Sequence, residues 1–343
     1  MSSAAPGPLN LITDVAGLRV GQAEDAAARS GVTVILADAR AVCAVDVRGG
    51  APGTRETDAL APENLVDAAD AVVLSGGSVY GLAAADGVTA VLGAAAKGYR
   101  LAAVAGVPPS PIVPAAILYD LANGGAKDWG ESPPYRDLGM AAAKRAGAEF
   151  ALGSAGAGLG AMAGRLKGGL GSASVIGEDG FTVGAIAAVN CFGSVVAPGG
   201  RSFWAAPYEI GAEFGGLGSA GLAAAPDDWG LAKGQPGLGA TRVNTTIACV
   251  ATNAALTPAE AKRVAIMAQD GLARAIRPAH APFDGDVVFA LATGQRELGE
   301  RRLADVARLG ALAADCLARA IARGVYEATV WPGAEVTCWR DLR

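Results

Sequence analysis

The sequence predicts an α/β protein in which buried sheets are covered by helices. Short runs rich in Val, Ile and Ala have the lengths of strands, and they alternate with longer stretches of helical periodicity. A chain of 343 residues with 52% hydrophobic side chains is also long enough to fill a substantial core, as one large domain or two modest ones.

Residues 31–36 and 41–47 are expected to be the first strands. Residues 78–95 read as a helix, 101–106 as a strand and 136–147 as a second helix. Strand character returns at 182–190 and at 245–252. Between these two runs, residues 199–241 are dense in Gly, Ala and Pro and read as a mobile linker. The helix over 258–276 has the clearest start: Thr257 is the N-cap, Pro258 takes the first helical position, and Glu260 completes a capping box. Its Val264, Ala268, Leu272 and Ala275 recur at helical spacing, so one face should pack on a sheet. A strand over 286–293 and a helix over 302–324 complete the pattern, with no internal repeat.

Composition excludes several classes. A net charge of −5 without a clustered Lys/Arg stripe argues against nucleic acid as the main partner. Two long uncharged runs, 101–119 and 180–200, are broken by Pro108, Pro109, Pro111 and Pro114 or by Asn190, Pro198 and glycines, so they read as buried strands with turns and no membrane partner is expected. The opening MSSAAPGPLN lacks a basic region followed by an apolar one, which makes the cytoplasm the expected compartment. Cys43, Cys191, Cys249, Cys316 and Cys338 show no CxxC spacing, and their odd number points to reduced thiols. No metal and no cofactor are expected.

The run Arg242-Val243-Asn244-Thr245-Thr246-Ile247 follows a glycine-rich stretch and opens an apolar segment. A threonine hydroxyl is a weak nucleophile at neutral pH. Cutting the chain before Thr245 would free an α-amine with a reference pKa of ~8, able to take the hydroxyl proton, so base and nucleophile would share one residue. Scarcity of other bases favours this reading. His280 is the only histidine, so a Ser-His-Asp triad could be built only around it. It follows a helix end, where a histidine is usually a partner of the helix dipole, and it is left out of the candidate site.

Two glycine motifs invite a nucleotide-binding reading. Gly156-Ala157-Gly158-Leu159-Gly160-Ala161 satisfies GxGxxA with Glu178 beyond it, but the preceding segment is too short for a Rossmann first strand and Lys167-Gly168-Gly169 interrupts the expected helix. Ser75-Gly76-Gly77-Ser78 is either a nest of backbone N–H groups for an anion or a plain strand-to-helix turn.

Taken in order, VRGGAPGTRETD, LSGGSVYGLAAADGV, GSAGAGLGAMAGRLKGGLGSAS, AAVNCFG, NTTIACVATNAALTPAE and PFDGDVVFALAT resemble the P1 family peptidases. These include DmpA-type aminopeptidases, β-peptidyl aminopeptidases and endo-type 6-aminohexanoate (nylon) oligomer hydrolases. The likeness runs from about Leu11 to Ala328. It implies a four-layer αββα sandwich and a self-processing N-terminal nucleophile hydrolase, one domain over 1–343 cut into 1–244 and 245–343. Asn244-Thr245 falls on the family's cleavage point, with Thr245 as nucleophile. Lys167 matches the active-site lysine, with Arg165 as the alternative; Asn190 matches the oxyanion-holding asparagine; Asp284 and Asp286 match the pair that orients the amine; Tyr119 matches a tyrosine lining the site. Threonine at the nucleophile and two aspartates in the pair place the chain nearer the nylon hydrolase branch than the serine enzymes. The resemblance also implies a small peptide or amide substrate and a homo-oligomer, a tetramer of cleaved protomers.

The residue types suit those roles. Asn190 and Lys167 carry donors for an oxyanion, and Asp284 and Asp286 are acceptors for an ammonium. Each also has a plainer reading: Lys167 as a surface charge, Asn190 as a turn residue after a strand, Asp284-Gly285-Asp286 as a polar turn. Arg48, Arg55, Glu56 and Asp58 form a charged glycine-rich loop suited to substrate ends or subunit contacts. Two other functions are weighed: an acyltransferase of the ornithine acetyltransferase type, and a non-enzymatic ligand- or nucleotide-binding protein in which Thr245 is structural.

Overall fold

A computed structural model describes residues 4–102, 104–220, 222–233 and 244–342. Its strands are β1 (Leu18–Asp25), β2 (Ser30–Val47), β3 (Thr54–Arg55), β4 (Ala68–Ser75), β5 (Ala115–Ile117), β6 (Met162–Ala163), β7 (Leu166–Lys167), β8 (Gly169–Ile176), β9 (Thr182–Asn190), β10 (Thr245–Ala254) and β11 (Val287–Arg296). Its α-helices are α1 (Ala83–Ala94), α2 (Tyr135–Lys144), α3 (Pro258–Ala268), α4 (Asp270–Ala275) and α5 (Arg302–Tyr326).

The main sheet runs β3-β5-β4-β2-β11-β10-β9-β8, with β1 paired to β2. Alternation of side chains along each strand sorts the core into three layers. On β4, Val72 and Leu74 point into the middle layer while Ala71 and Val73 face α1 and α2. On β9, Ile186 and Ala188 point into the same middle layer while Ala185, Ala187 and Val189 face the core that α3 and α5 also line. The sheet is thus folded over on itself, with α1 and α2 on one outside and α3, α4 and α5 on the other. The αββα arrangement implied by the resemblance is the one observed.

The fold-over happens within β2, which corrects the expectation of two strands. Residues 31–36 and 41–47 are one strand with an irregularity in its pairing to β4 between Leu36 and Ala41. Its first half feeds the α1–α2 core through Val32, Val34 and Leu36, and its second half reaches the opposite core through Ala44. Asp38 and Ala39 lie exposed at the crossing.

Other boundaries shift for visible reasons. Residues 78–82 are a 3-10 turn leading into α1, and the predicted helix over 258–276 is divided at Gln269, whose side chain is buried and donates to the Asp46 carbonyl. Thr257 caps α3 as expected, accepting from the Glu260 N–H at 3.3 Å. Among the described residues of 101–106 no strand forms: Leu101 is 80% exposed and Val104 58% exposed, on a loop pinched by the Tyr99–Ser110 bridge. Within the expected linker 199–241, residues 221 and 234–241 lie outside the described residues; the rest is turns, one 3-10 helix and the isolated bridge of Phe203 to Val196. Among the described residues, no helix is long and apolar enough to cross a membrane.

Candidate active site

Strand direction decides which residues meet. β9 and β10 are antiparallel, so the last residue of β9 lies against the first of β10, and Asn190 pairs with Thr245. β10 and β11 are parallel, so the turn that leads into β11 arrives at the same end, where Asn244 bridges to Asp284. Three segments far apart in the chain converge on one sheet end: Asn190, Asn244-Thr245 and Asp284-Gly285-Asp286.

The peptide bond between Asn244 and Thr245 is buried and gripped from several sides. The Asn244 N–H donates to the Phe283 carbonyl at 3.2 Å, and its carbonyl accepts from the Gly285 N–H at 2.9 Å. The Thr245 hydroxyl donates to that same carbonyl oxygen. Gly285 has to be small, since a Cβ there would lie 2.8 Å from Thr245 Oγ1 and 2.6 Å from the Ala51 carbonyl oxygen. A hydroxyl therefore rests on the carbonyl of the bond before it, and a backbone N–H already polarises that carbonyl.

The two acids are buried and close enough to repel. Asp286 Oδ1 accepts from the Thr246 N–H at 2.8 Å, and Oδ2 accepts from the His280 N–H at 3.1 Å and lies 2.9 Å from His280 Nδ1. Asp284 accepts from the N–H groups of Phe192 at 3.2 Å and Ala281 at 3.1 Å. Burial, and then the charge of Asp286, push the Asp284 carboxyl up to about 6. The charged loop of the sequence supports them from behind: the N–H groups of Arg48 and Gly49 donate to the Asp286 carbonyl, and that of Ala51 to the Asp284 carbonyl at 2.8 Å. Its side chains are engaged within the protein, Arg48 on Asp46, Arg55 on Asp86 and Glu56 on the Val113 N–H.

Asn190 ends β9 and is not a turn residue. Its Oδ1 accepts from the Met162 N–H at 2.9 Å and its Nδ2 donates to the Tyr119 carbonyl at 3.0 Å. Tyr119 thereby borders a small pocket shared with Asp120, Met162, Asn190 and Lys233.

Lys167 is neither at the surface nor on Thr245. It is fully buried, donating to the carbonyls of Gly158 (3.2 Å), Ala161 (3.1 Å) and Gly168 (2.6 Å), with its ammonium 4.8 Å from the Trp331 ring centre. Burial lowers its pKa to about 7. Among the described residues its hydrogen bonds do not reach Thr245, Asp284 or Asp286; they reach Asn190 indirectly, through the Ala161–Met162 peptide whose N–H holds Asn190 Oδ1. Arg165 is exposed and donates to the Gly230 carbonyl.

The glycine motifs serve the fold. Gly156–Gly158 form a 3-10 turn with no strand directly before it and no helix directly after, so the dinucleotide geometry is missing. The nest at Gly77 holds the protein's own anion: the Gly77 N–H donates to Asp120 Oδ1 at 2.7 Å, and Ser30 Oγ donates to Asp120 Oδ2 at 2.7 Å. Gly77 has φ +84°, and a Cβ there would strike the Tyr135 ring.

Comparison with known proteins gives the same direction. Peptidase family S58 matches residues 10–338. An uncharacterized aminopeptidase of Mycobacterium tuberculosis (strain H37Rv) is 46% identical over 97% of this chain and 98% of its own length. A 6-aminohexanoate-oligomer endohydrolase of Kocuria sp. is 30% identical over 83% of this chain and 75% of its own. A β-aminopeptidase of Burkholderia sp. shares the fold, with a TM-score of 0.72 at 22% identity over 99% of this chain and 94% of that one. The chain belongs to peptidase family S58. A further solved structure, the L-aminopeptidase D-Ala-esterase/amidase of Ochrobactrum anthropi, described as a variant of the Ntn hydrolase fold, superposes with a TM-score of 0.67 at 20% identity over 97% of this chain and 90% of that one.

In this S58 chain three residues near the Asn244–Thr245 peptide were missed by sequence reasoning. Gly285 is an ordinary turn glycine until its N–H is seen on the Asn244 carbonyl. His280 was set aside as a helix-end residue, yet φ +57° turns it back onto Asp286. Lys233 gives no signal in sequence, and it donates to Asn244 Oδ1 at 2.7 Å.

Proposed function

We propose that this S58 peptidase is a self-processing N-terminal threonine amidohydrolase that cuts itself between Asn244 and Thr245 and then hydrolyses small amides through an acyl-enzyme. The contact of the Thr245 hydroxyl with the Asn244 carbonyl, with the Gly285 N–H on the same oxygen, carries this reading. Oγ1 adds to the Asn244 carbonyl carbon, the oxyanion sits on the Gly285 N–H, and the C–N bond breaks as the Thr245 nitrogen takes a proton. The product is an ester, which water hydrolyses to the Asn244 carboxylate and a free Thr245. Asp284, ionised above about 6, suits the role of proton acceptor in this first reaction, when Thr245 has no free amine.

After the cut the new α-amine lies beside Asp284 and Asp286. The hydroxyl attacks a substrate amide, the amine takes its proton and passes it to the leaving amine, and water releases the acyl group. Asn190 Nδ2 is the side-chain donor placed directly across from Thr245. The named relatives make N-terminal aminoacyl amides and linear 6-aminohexanoate oligomers the first substrates to try. The site is proposed to work in the cytoplasm, where the buried, unpaired cysteines stay reduced.

Intact-mass measurement tests the reading: wild type should give 1–244 and 245–343, Thr245→Ala one uncut chain without activity. A fully active, uncut wild type would overturn it. Amine acceptors added to the assay should yield no new amides; their formation at the expense of hydrolysis would favour an acyltransferase.

A further inference from the structure

We propose that Lys233 is a positioning residue for self-cleavage, an ammonium clamp that holds the acyl side of the scissile bond against the strand opposite the nucleophile. The inference deepens the reading above and rests on it.

Lys233 Nζ donates to Asn244 Oδ1 at 2.7 Å and to the Asn190 carbonyl at 3.1 Å. Asn190 pairs with Thr245, and Asn244 contributes the carbonyl under attack. One cation thus ties the residue that supplies the electrophile to the residue across the ladder from the nucleophile. The ladder gives no such tie by itself, because the Thr245–Asn190 pair is its last rung. Asn244 beyond it is held on its other flank by Phe283, Asp284 and Gly285. Without Lys233, the Asn244 side chain loses a charge-assisted bond, and the carbonyl carbon loses one of the contacts that fix it in front of Oγ1.

The clamp is itself anchored. The Lys233 N–H donates to the Phe192 carbonyl at 3.0 Å, two residues past Asn190. Phe192 packs edge-on against Trp229 (6.0 Å between centres) and against Phe283 (4.5 Å), so the segment that carries Lys233 is seated on both the β9 end and the turn before Asp284. The ammonium also lies within Coulombic reach of Asp284 and favours its ionised form.

The test is a pulse of cell-free synthesis followed by a chase, with the uncut fraction read by intact mass for wild type, Lys233→Met, Lys233→Arg, Asn244→Ala and the double variant Lys233→Met/Asn244→Ala. Loss of a hydrogen bond from a charged donor should slow Lys233→Met by roughly tenfold to a hundredfold. Lys233→Arg should recover part of that rate, and on the Asn244→Ala background the Lys233→Met change should slow cleavage little further. Equal rates for wild type and Lys233→Met would overturn the clamp and leave the proposed function standing. The same slowing factor with and without Asn244 would overturn it too, by showing that Lys233 acts elsewhere. A wild type that is active and never cut would remove both readings together. Melting temperatures of the purified chains separate slow cleavage from misfolding, with Lys233→Arg as the variant least disturbed.

Discussion

Placing a methyl group on Gly285 perturbs the chemistry more than the fold, and the size of the effect can be worked from two contacts. The new Cβ would lie 2.8 Å from Thr245 Oγ1, about 0.6 Å short of ordinary contact at 3.4 Å, and 2.6 Å from the Ala51 carbonyl oxygen. The φ of Gly285 is not in the left-handed region, so the backbone accepts alanine. Swinging the Thr245 hydroxyl relieves only the first contact; the second is to backbone, so the turn must tilt as well. Either motion disturbs the attack line or the 2.9 Å bond from the Gly285 N–H to the Asn244 carbonyl. Losing one oxyanion donor costs ~3 kcal/mol of barrier, so Gly285→Ala should slow self-cleavage by about a hundredfold or more. Overpacking one methyl should cost stability only ~1–3 kcal/mol. Gly49→Ala is the contrast: its Cβ would meet the Asp286 nitrogen and Asp284 oxygen of the backbone at 2.2 and 2.3 Å, with no side chain to give way, so that variant should lose stability as well as cleavage. Pulse-chase intact mass and thermal melts read both quantities. A Gly285→Ala chain that cleaves at the wild-type rate would refute the role given to this turn.

Three further outcomes follow from the charges. Asp284 accepts a proton only when ionised and its carboxyl is raised to about 6, so the self-cleavage rate should climb through about pH 6 and level off above it. Removing the neighbouring charge with Asp286→Asn should move that inflection to lower pH, as measured by the same pulse-chase over a pH series. Lys167 is depressed from 10.5 to about 7, so between these values the unfolded chain holds a proton that the folded chain has released, and Lys167 makes stability rise with pH; the melting temperature of Lys167→Met should lack that rise. Asp120→Ala leaves the Gly77 N–H and the Ser30 hydroxyl without their buried acceptor and should cost roughly 1–3 kcal/mol for each in denaturant unfolding.

The sequence was most legible where burial repeats along an element. The runs at 182–190 and 245–252 are buried on both faces and rich in Val, Ile and Ala, so composition alone marks them as strands. The Thr257-Pro258 start of α3 was legible because capping is local chemistry. β1, LRVGQAED, was missed because its polar residues and its glycine mask a strand whose Arg19, Gln22 and Asp25 are half-buried rather than exposed in alternation. β4, AADAVVLS, carries Asp70 in its interior, and only the fold supplies the Ile112 N–H that this carboxylate accepts. The apolar stretch at 101–106 misled for the opposite reason, since apolar side chains do not reveal that they are exposed. At the site, residue type and the scarcity of other bases pointed to Thr245, and the family resemblance supplied Asn190, Asp284 and Asp286, but the direction of a buried amine is invisible in sequence. Lys167 turns to three carbonyls and Trp331, while Lys233, unmarked by any motif, reaches Asn244.

On the proposed mechanism, the place of Thr245 in the ladder explains how one strand end could host two reactions. β10 begins pairing with β9 at Thr245 but with β11 only at Ile247, where Val287 is its partner. Two residues of β10 therefore extend past β11, with a strand on one side and the Asp284-Gly285-Asp286 turn on the other. On the strand side the pairing with Asn190 fixes the hydroxyl. On the turn side the backbone meets carboxylates and the Gly285 N–H where another strand's regular rungs would have stood. That side polarises the Asn244 carbonyl, and in the proposed cleaved form it would receive an ammonium, which two buried acids attract and a neighbouring strand could not. Extending β11 by two regular rungs would satisfy Thr245 and Thr246 as ordinary strand residues and abolish both functions at once. On this proposal, the early ending of β11 is thus what turns a β-branched strand residue into a reactive one.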